Sequence, residues 1–151
     1  MASSPHFPDV FRRDCEGRIS AITELTDALA QWAGERGVPP KLMTSMALIL
    51  DELFSNVVMH GYREDASGRI AVEARIDDQA FTVTLADQAP AFNPLLVPEP
   101  DTRLSIEERQ IGGLGLLFVR RTADRLAYER VPGADGVPSN RVTFSKRLAP
   151  A

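Results

Sequence analysis

Residues 51–62 read DELFSNVVMHGY, and this stretch decides how the fold and the site are interpreted. Glu52, Asn56 and His60 recur in it at intervals of four residues within an otherwise apolar run. Residues four apart share one face of a helix, so the three polar side chains form a single ridge. Apolar residues follow one position further round the helix, which places the ridge beside the hydrophobic core. A carboxylate in such a position is costly unless it has a partner.

A hard cation would supply that partner. An Asn carbonyl oxygen is a suitable Mg²⁺ ligand, and Mg²⁺ often takes only one or two protein ligands while water and nucleotide phosphates complete its shell. A nearby Glu can then orient or deprotonate an attacking hydroxyl. The alternative is that Glu52 and Asn56 are only the solvated edge of an amphipathic helix. We interpret His60 as structural, packed at the helix end beside Tyr62.

A second polar position follows an apolar strand-like segment. Residues 85–94 read LADQAPAFNP, with Asp87 at the exit of the strand and a turn behind it. A buried carboxylate there can accept a hydrogen bond from an exocyclic amine, which selects adenine over guanine. Ordinary turn chemistry is the alternative, because Asp is common before such turns.

A third segment, residues 111–116, reads IGGLGL and precedes a stretch with helical spacing. Backbone amides and the positive end of a helix dipole bind anions at such a place, and absent side chains let phosphates approach. A hinge or a tight helix entry is the alternative. No Lys-Ser or Lys-Thr follows these glycines and no clear strand precedes them, so neither the P-loop nor the dinucleotide-binding fingerprint fits.

The apolar periodicity predicts the order strand, helix, helix, hairpin, long loop, helix, hairpin. The predicted helices cover 16–36, 41–60 (capped by Gly61) and 114–122, and the predicted strands cover 6–13, 69–76, 81–86, 125–130 and 140–147. This order favours a two-layer α/β sandwich over residues 1–151, with helices on one face of a mixed, mostly antiparallel sheet.

Composition narrows the classes of function. The net charge is -4 with acids and bases interspersed, which argues against direct nucleic-acid binding. The single Cys15 fits a reducing compartment. We find no leader-like start and no uninterrupted apolar run of about 18 residues, so we expect a cytoplasmic protein outside the membrane.

Together the three segments resemble the N, G1 and G2 boxes of the GHKL (Bergerat-fold) ATP-binding superfamily. Within it they are most similar to the RsbW-like anti-sigma-factor serine/threonine kinases of bacterial partner-switching systems. The matching stretches are Glu52 to Tyr62, Asp87 to Pro94 and Gly112 to Arg121. The residues from Tyr128 to Leu148 and the order of elements extend the similarity over nearly the whole chain.

The resemblance implies ATP and Mg²⁺ as cofactors. It implies that Glu52 is the catalytic base or polarising group, that Asn56 is the metal ligand and that Asp87 contacts the adenine amine. A lid over 101–111 would place Arg103 or Arg109 near the γ-phosphate. The other implied nucleotide-binding residues are Ala89, Phe92, Gly112, Gly113, Leu114, Gly115 and Leu116. Ala89 replaces a glycine common in the G1 box, so we expect a redrawn turn and weaker nucleotide binding.

The implied function is a protein serine kinase that sequesters a sigma factor and phosphorylates a STAS-domain anti-anti-sigma factor. Pairing of two copies through their sheets is a further implication. Because of Ala89, a nucleotide-gated binding module without catalysis is the main alternative. A histidine kinase catalytic domain is disfavoured, since no dimerising helical hairpin precedes the boxes in this sequence, and a plain α/β scaffold is the non-nucleotide alternative.

Overall fold

The described part of the chain contains eight helices and strands, in the predicted order. The computed structural model describes residues 9–63, 67–96, 113–133 and 135–148, and of residues 113 and 114 only the backbone. The elements are β1 (Val10–Glu16), α1 (Ala21–Glu35), α2 (Pro40–Asn56), β2 (Arg69–Ile76), β3 (Ala80–Asp87), α3 (Gly113–Thr122), β4 (Arg125–Val131) and β5 (Ser139–Arg147). A π-helical turn (Val57–Gly61) continues α2, and a short 3₁₀ turn (Pro94–Leu96) follows β3.

The five strands form one sheet in the order β1-β2-β3-β5-β4. Every pairing in it is antiparallel, so the α/β class is confirmed with a more uniform sheet than the mixed one expected. Buried side chains alternate with exposed or partly buried ones along β2 and with partly buried ones along β3, because successive residues of a strand point to opposite faces. The helices therefore cover one face of the sheet.

Helix α2 is the central element of the core. Its buried side chains pack with those of α1 and with the inward face of the sheet; on α2 they are Met43, Met46, Ile49, Leu50, Leu53 and Phe54. The stretch Pro40–Gly61 is long and apolar enough to cross a membrane by length and composition alone. The core helix of a globular domain has the same properties, and here the apolar side chains are used for packing.

Two boundaries near the N-terminus differ from the predicted ones. The first strand covers Val10–Glu16 and not 6–13, of which 6–8 lie outside the described residues. Its extent is set by pairing with β2, from Val10 opposite Arg75 to Glu16 opposite Arg69. Helix α1 consequently begins later than predicted, at Ala21, and Ile19 is exposed.

The end of α1 follows the prediction. Gly37 adopts a left-handed conformation with a φ of 82°. Its amide donates to Gly34 O at 3.1 Å, and the Val38 amide donates to Ala33 O at 3.1 Å. This pair of bonds is the Schellman motif, in which glycine is favoured because it has no Cβ atom.

The predicted end of α2 at Gly61 is wrong. Gly61 lies inside the π turn and is not left-handed, and the Tyr62 amide donates to Val57 O at 2.8 Å, five residues back. Arg63, with a φ of 52°, takes the left-handed position that ends the helix. His60 lies in this π turn, four residues after the buried Asn56. His60 is exposed, so its predicted packing is wrong.

Candidate functional site

The three predicted segments meet at one pocket between α2, the turn after β3 and α3. The pocket is a cleft with about 450 Å³ of empty space between its walls, part of which is open solvent. Most of its wall is apolar, as a planar base requires. The lining residues are Leu53, Asn56, Val57, Gly61, Leu85, Asp87, Ala89, Pro90, Phe92, Pro94, Leu116, Asn140 and Val142.

Asp87 is buried at the end of β3, with 6% of its surface exposed. Its Oδ1 accepts hydrogen bonds from the Ala89 amide at 3.0 Å and from Asn140 Nδ2 at 2.9 Å. Oδ2 accepts none from any residue that the structure describes. Burial raises the pKa of Asp87, and the hydrogen bonds from Asn140 and Ala89 oppose that rise. One carboxylate oxygen is thus left to accept a hydrogen bond from a ligand.

Asn140 is a site residue that the sequence interpretation missed. It is only 3% exposed and lies directly opposite Asp87 in the pairing of β3 with β5. Besides Asp87, its Nδ2 donates to the carbonyl oxygens of Ala89 and Pro90, both at 3.1 Å. One side-chain amide therefore fixes both the carboxylate and the turn behind it.

The side-chain oxygen of Asn140 also accepts hydrogen bonds. Asn140 Oδ1 accepts from the Tyr128 hydroxyl at 2.7 Å and from Arg130 Nη1 at 2.9 Å. Arg130 Nη1 also donates to Ala89 O at 3.0 Å.

The sequence contained a pattern that could have identified Asn140. Alternation along 140–147 places Asn140 on the same inward face as Val142 and Phe144.

Asn56 lies at the last position of α2 and is 9% exposed. Its Nδ2 is buried and has no hydrogen-bond partner among the described residues. A buried polar group left without a partner costs about 1–3 kcal/mol. The two ends of an amide have nearly the same shape, so a half-turn presents the oxygen in place of the nitrogen. The side chain is suited to a ligand that satisfies it.

Glu52 lies one turn before Asn56 and is partly buried. Burial raises the pKa of its carboxyl group, and the neighbouring Asp51 raises that pKa further. A Cβ atom on Gly115 would lie 2.6 Å from Glu52 Cδ, so α3 approaches the carboxylate closely only because residue 115 is glycine. Gly115 thus leaves room for the Glu52 carboxylate, while its role in phosphate binding stays a prediction.

Ala89 is buried at the floor of the pocket, and its turn does not require glycine. Among the described residues other than glycine, only Arg63 has a positive φ, so Ala89 adopts a conformation open to any residue. Ala89 thus avoids the positive φ that is difficult for alanine, and the redrawn turn with weaker nucleotide binding stays a prediction. The Ala89 methyl group has room because the residue facing it, Gly61, has no side chain. A Cβ atom on Gly61 would lie 2.9 Å from Ala89 Cβ.

The structure places some of the predicted residues in the pocket wall, leaves Glu52 and Gly115 out of that wall, and does not describe others. Phe92, which is 39% exposed, and Leu116, which is 4% exposed, line the pocket as expected. Helix α3 begins at Gly113, and the side chain of Leu114 is not described. Arg103, Arg109, Gly112 and the lid over 101–111 lie outside the described residues.

Comparison with known proteins assigns the chain to a family of ATPase domains. A family model described as the histidine kinase-like ATPase domain matches residues 15–146. The chain belongs to this family. The match begins within β1 and ends within β5, so it includes all three segments and the Asn140 position. An ATP-binding domain of this family is what the three boxes predict.

Two curated relatives of this histidine kinase-like ATPase domain agree with the RsbW-like resemblance, which is confirmed. The chain is 26% identical over 110 residues to the serine/threonine-protein kinase BtrW of Bordetella bronchiseptica, covering 73% of this chain and 74% of the relative. It is 29% identical over 113 residues to the anti-sigma F factor of Lysinibacillus sphaericus, covering 70% of each chain.

Solved structures confirm the fold. The SiaB–SiaC complex from Pseudomonas aeruginosa matches with a TM-score of 0.64 and 15% identity, covering 92% of each chain. The RsbU and RsbW domains of a Mycobacterium tuberculosis protein match with a TM-score of 0.59 and 18% identity, covering 92% of this chain and 33% of that longer one.

Proposed function

We propose that this histidine kinase-like ATPase domain is an ATP- and Mg²⁺-dependent protein serine kinase of a cytoplasmic partner-switching system. Its substrate would be a serine of a STAS-domain anti-anti-sigma factor, and its second activity the sequestration of a sigma factor. One observation carries the proposal. Asn56, Asp87 and Leu116, from three segments far apart in sequence, line a single pocket whose wall is otherwise mostly apolar.

In this proposal the adenine ring occupies the apolar part of the pocket. Asp87 Oδ2 accepts a hydrogen bond from the exocyclic amine, since Oδ1 already accepts two bonds from the protein. A guanine presents a carbonyl oxygen at the same place, which would face the carboxylate without a proton between them. The site should therefore bind adenine nucleotides in preference to guanine nucleotides.

The phosphates would extend toward Asn56 and the first residues of α3. The helix begins at Gly113, and amides at a helix N-terminus bind anions. The described residues contain no group of three His, Cys, Asp or Glu side chains that could hold a metal. Asn56, whose buried amide lacks a partner among the described residues, would be a protein ligand of Mg²⁺, and the ion would neutralise charge on the transferring phosphoryl group.

Glu52 would act on the substrate hydroxyl. Its raised pKa makes the carboxylate a stronger proton acceptor than an exposed glutamate. It would take the serine proton as the serine oxygen bonds to the γ-phosphorus. The bond from that phosphorus to the oxygen bridging the β- and γ-phosphates breaks, and ADP leaves with the electron pair.

The names of the relatives support both halves of the proposal. BtrW is named a serine/threonine-protein kinase, and the Lysinibacillus protein is named an anti-sigma factor. A kinase and an anti-sigma factor are thus both present among proteins that this chain matches over about 70% of its length. Phosphorylation of a serine on a STAS-domain partner goes beyond these names, and we propose it from the resemblance to the RsbW-like kinases.

The test incubates the protein with Mg²⁺, γ-labelled ATP and the STAS-domain protein encoded nearest to its gene. We expect label on one serine of that partner, and loss of label with Glu52→Gln or Asn56→Ala. Glu129→Gln is the matched control, because Glu129 is an exposed glutamate paired with Arg141 at 3.5 Å on the uncovered face of the sheet. No label on the partner despite ATP binding would favour the nucleotide-gated binding module.

A further inference from the structure

Tyr62, the residue after the π turn, joins three segments through one hydroxyl group. The hydroxyl donates to Arg69 O at 2.6 Å and accepts from the Gln88 amide at 2.8 Å. Arg69 begins β2, and Gln88 directly follows Asp87. The helix end that carries Asn56 is thereby connected to the turn that carries Asp87.

The tyrosine ring occupies a socket made by two glycines. A Cβ atom on Gly68 would lie 2.6 Å from three ring carbons, and one on Gly17 would lie 3.1 Å from Cδ2. The Gly17 amide also donates to Gly68 O at 2.7 Å, which closes the socket. The ring therefore packs on the backbone of the two glycines, in space that a side chain at either position would need. This fixed ring sets the position of the hydroxyl.

The hydroxyl in turn determines how the Asp87 carboxylate is held. The Tyr62 hydroxyl accepts a hydrogen bond from the Gln88 amide, and Asp87 Oδ1 accepts one from the next amide, that of Ala89. Both amides belong to the same turn, so a shift at Gln88 alters the direction of the carboxylate. Burial raises the pKa of Tyr62, so the hydroxyl keeps its proton and remains a donor at neutral pH.

We propose that Tyr62 is a positioning residue for the nucleotide. It sets the span between Asn56, at the phosphate end of the pocket, and Asp87, at the base end. The inference rests on the proposed function, in which the adenine amine meets Asp87 Oδ2. Tyr62 itself lies outside the pocket wall and touches no proposed ligand. Its effect would be transmitted entirely through the Gln88 amide.

A purely structural hydrogen bond would give a different result from a positioning one. General loosening of the fold weakens every ligand of the pocket to a similar degree. Misplacement of Asp87 weakens only ligands that contain a base. We therefore compare ADP with inorganic tripolyphosphate, which lacks the base and can report on the phosphate end alone.

The experiment measures dissociation constants by calorimetry in Mg²⁺ for the wild type and Tyr62→Phe. We expect the ADP constant of the variant to rise about threefold to tenfold, which corresponds to one lost hydrogen bond. The tripolyphosphate constant should stay within about twofold, and the preference for ADP over GDP should fall. Thr84→Val is the matched control, because it deletes a hydroxyl that bonds Thr143 Oγ1 at 3.1 Å on the uncovered sheet face.

Gly68→Ala provides a second, independent variant. It keeps the hydroxyl but forces the ring from its socket, so it should weaken ADP in the same selective way. Unchanged ADP binding in both variants, or equal weakening of ADP and tripolyphosphate, would overturn the inference. Because ADP binding needs no phosphotransfer, a wild type that binds ADP but labels no partner contradicts the kinase proposal alone. A wild type that binds no nucleotide contradicts both.

Discussion

The carboxylate of Glu52 lies against Gly115, so closely that a Cβ atom at position 115 would come within 2.6 Å of Glu52 Cδ. Gly115→Ala should leave the fold intact, because the end of a flexible side chain can move aside. The carboxylate would then leave its position beside the pocket. We expect phosphotransfer to fall at least about tenfold, which is part of what a positioned general base contributes. A single-turnover assay at saturating ATP measures this loss.

Gly34→Ala is the matched control for that substitution. Residue 34 lies in α1, and a Cβ atom there would have no neighbour within 4 Å. Helix propensity favours alanine, so the control should be at least as stable as the wild type and equally active. If Gly115→Ala keeps the wild-type rate, the position of Glu52 beside α3 is irrelevant to catalysis.

Much of this site was predictable because its signals are local. Polar residues four apart on α2, an acid at a strand exit and glycines before a helix each follow from one short segment. The π turn was not predictable in this way, since no residue in 57–61 demands a bond between residues five apart. The shift of β1 and the role of Asn140 depend on strand pairing, which joins residues more than 50 positions apart. Such pairings are fixed only when the sheet forms.

Gly61 and Ala89 form a complementary pair across the pocket floor. A Cβ atom on Gly61 would lie 2.9 Å from Ala89 Cβ, so Gly61→Ala should lower the free energy of unfolding by about 2 kcal/mol. Ala89→Gly should cost about 1 kcal/mol, because a buried methyl group is lost and the unfolded chain gains freedom. The double variant should recover more than half of the loss from Gly61→Ala.

Denaturation in urea, followed by the fluorescence of the single Trp32, measures each of these values. Its indole packs against Phe11 and Phe81, with ring centroids 5.8 and 6.2 Å away, so the signal reports on the core. Strictly additive effects would show that the two residues are not coupled. Stronger ADP binding by Ala89→Gly than by the wild type would support the prediction that alanine at this position weakens nucleotide binding.

The raised pKa of Glu52 predicts opposite effects of Glu52→Gln on stability and on activity. A carboxyl group whose pKa is raised on folding stabilises the fold below its unfolded pKa, and this contribution is lost as the pH rises through the folded pKa. The variant should therefore melt above the wild type at a pH of about 8. The difference should shrink toward a pH of about 4, where the wild-type carboxyl is largely protonated.

Phosphotransfer by Glu52→Gln should fall by about 100-fold or more, because glutamine accepts no proton. In the wild type the same pKa makes the rate decline as the pH falls through it, and this decline should be absent from the residual rate of the variant. Melting curves and rates over one pH series test both statements. A melting difference that grows toward low pH would show that burial does not disfavour the ionised form of Glu52.

Asn140 should be the most sensitive polar residue of the pocket. Replacing it with alanine leaves the Tyr128 hydroxyl without its acceptor and Asp87 Oδ1 without one of its two donors. Because these groups are buried or partly buried, we expect a loss of about 3 kcal/mol in the free energy of unfolding. The turn at Ala89 and Pro90 loses its anchor as well, so ADP binding should weaken even where the protein remains folded.

Asn93→Ala is the control that distinguishes the buried hydrogen bonds of Asn140 from those of an ordinary turn residue. Among the residues that the structure describes, Asn93 Oδ1 accepts only the Leu95 amide, at 2.9 Å in an exposed setting, so its loss should cost less than about 1 kcal/mol. Urea denaturation of both variants gives the free energy of unfolding. Calorimetry at a temperature where each variant is folded gives the dissociation constant of ADP. Equal losses in the free energy of unfolding would mean that burial does not strengthen the hydrogen bonds of Asn140. A large stability loss with unchanged ADP affinity would mean that the network supports the sheet and does not orient Asp87.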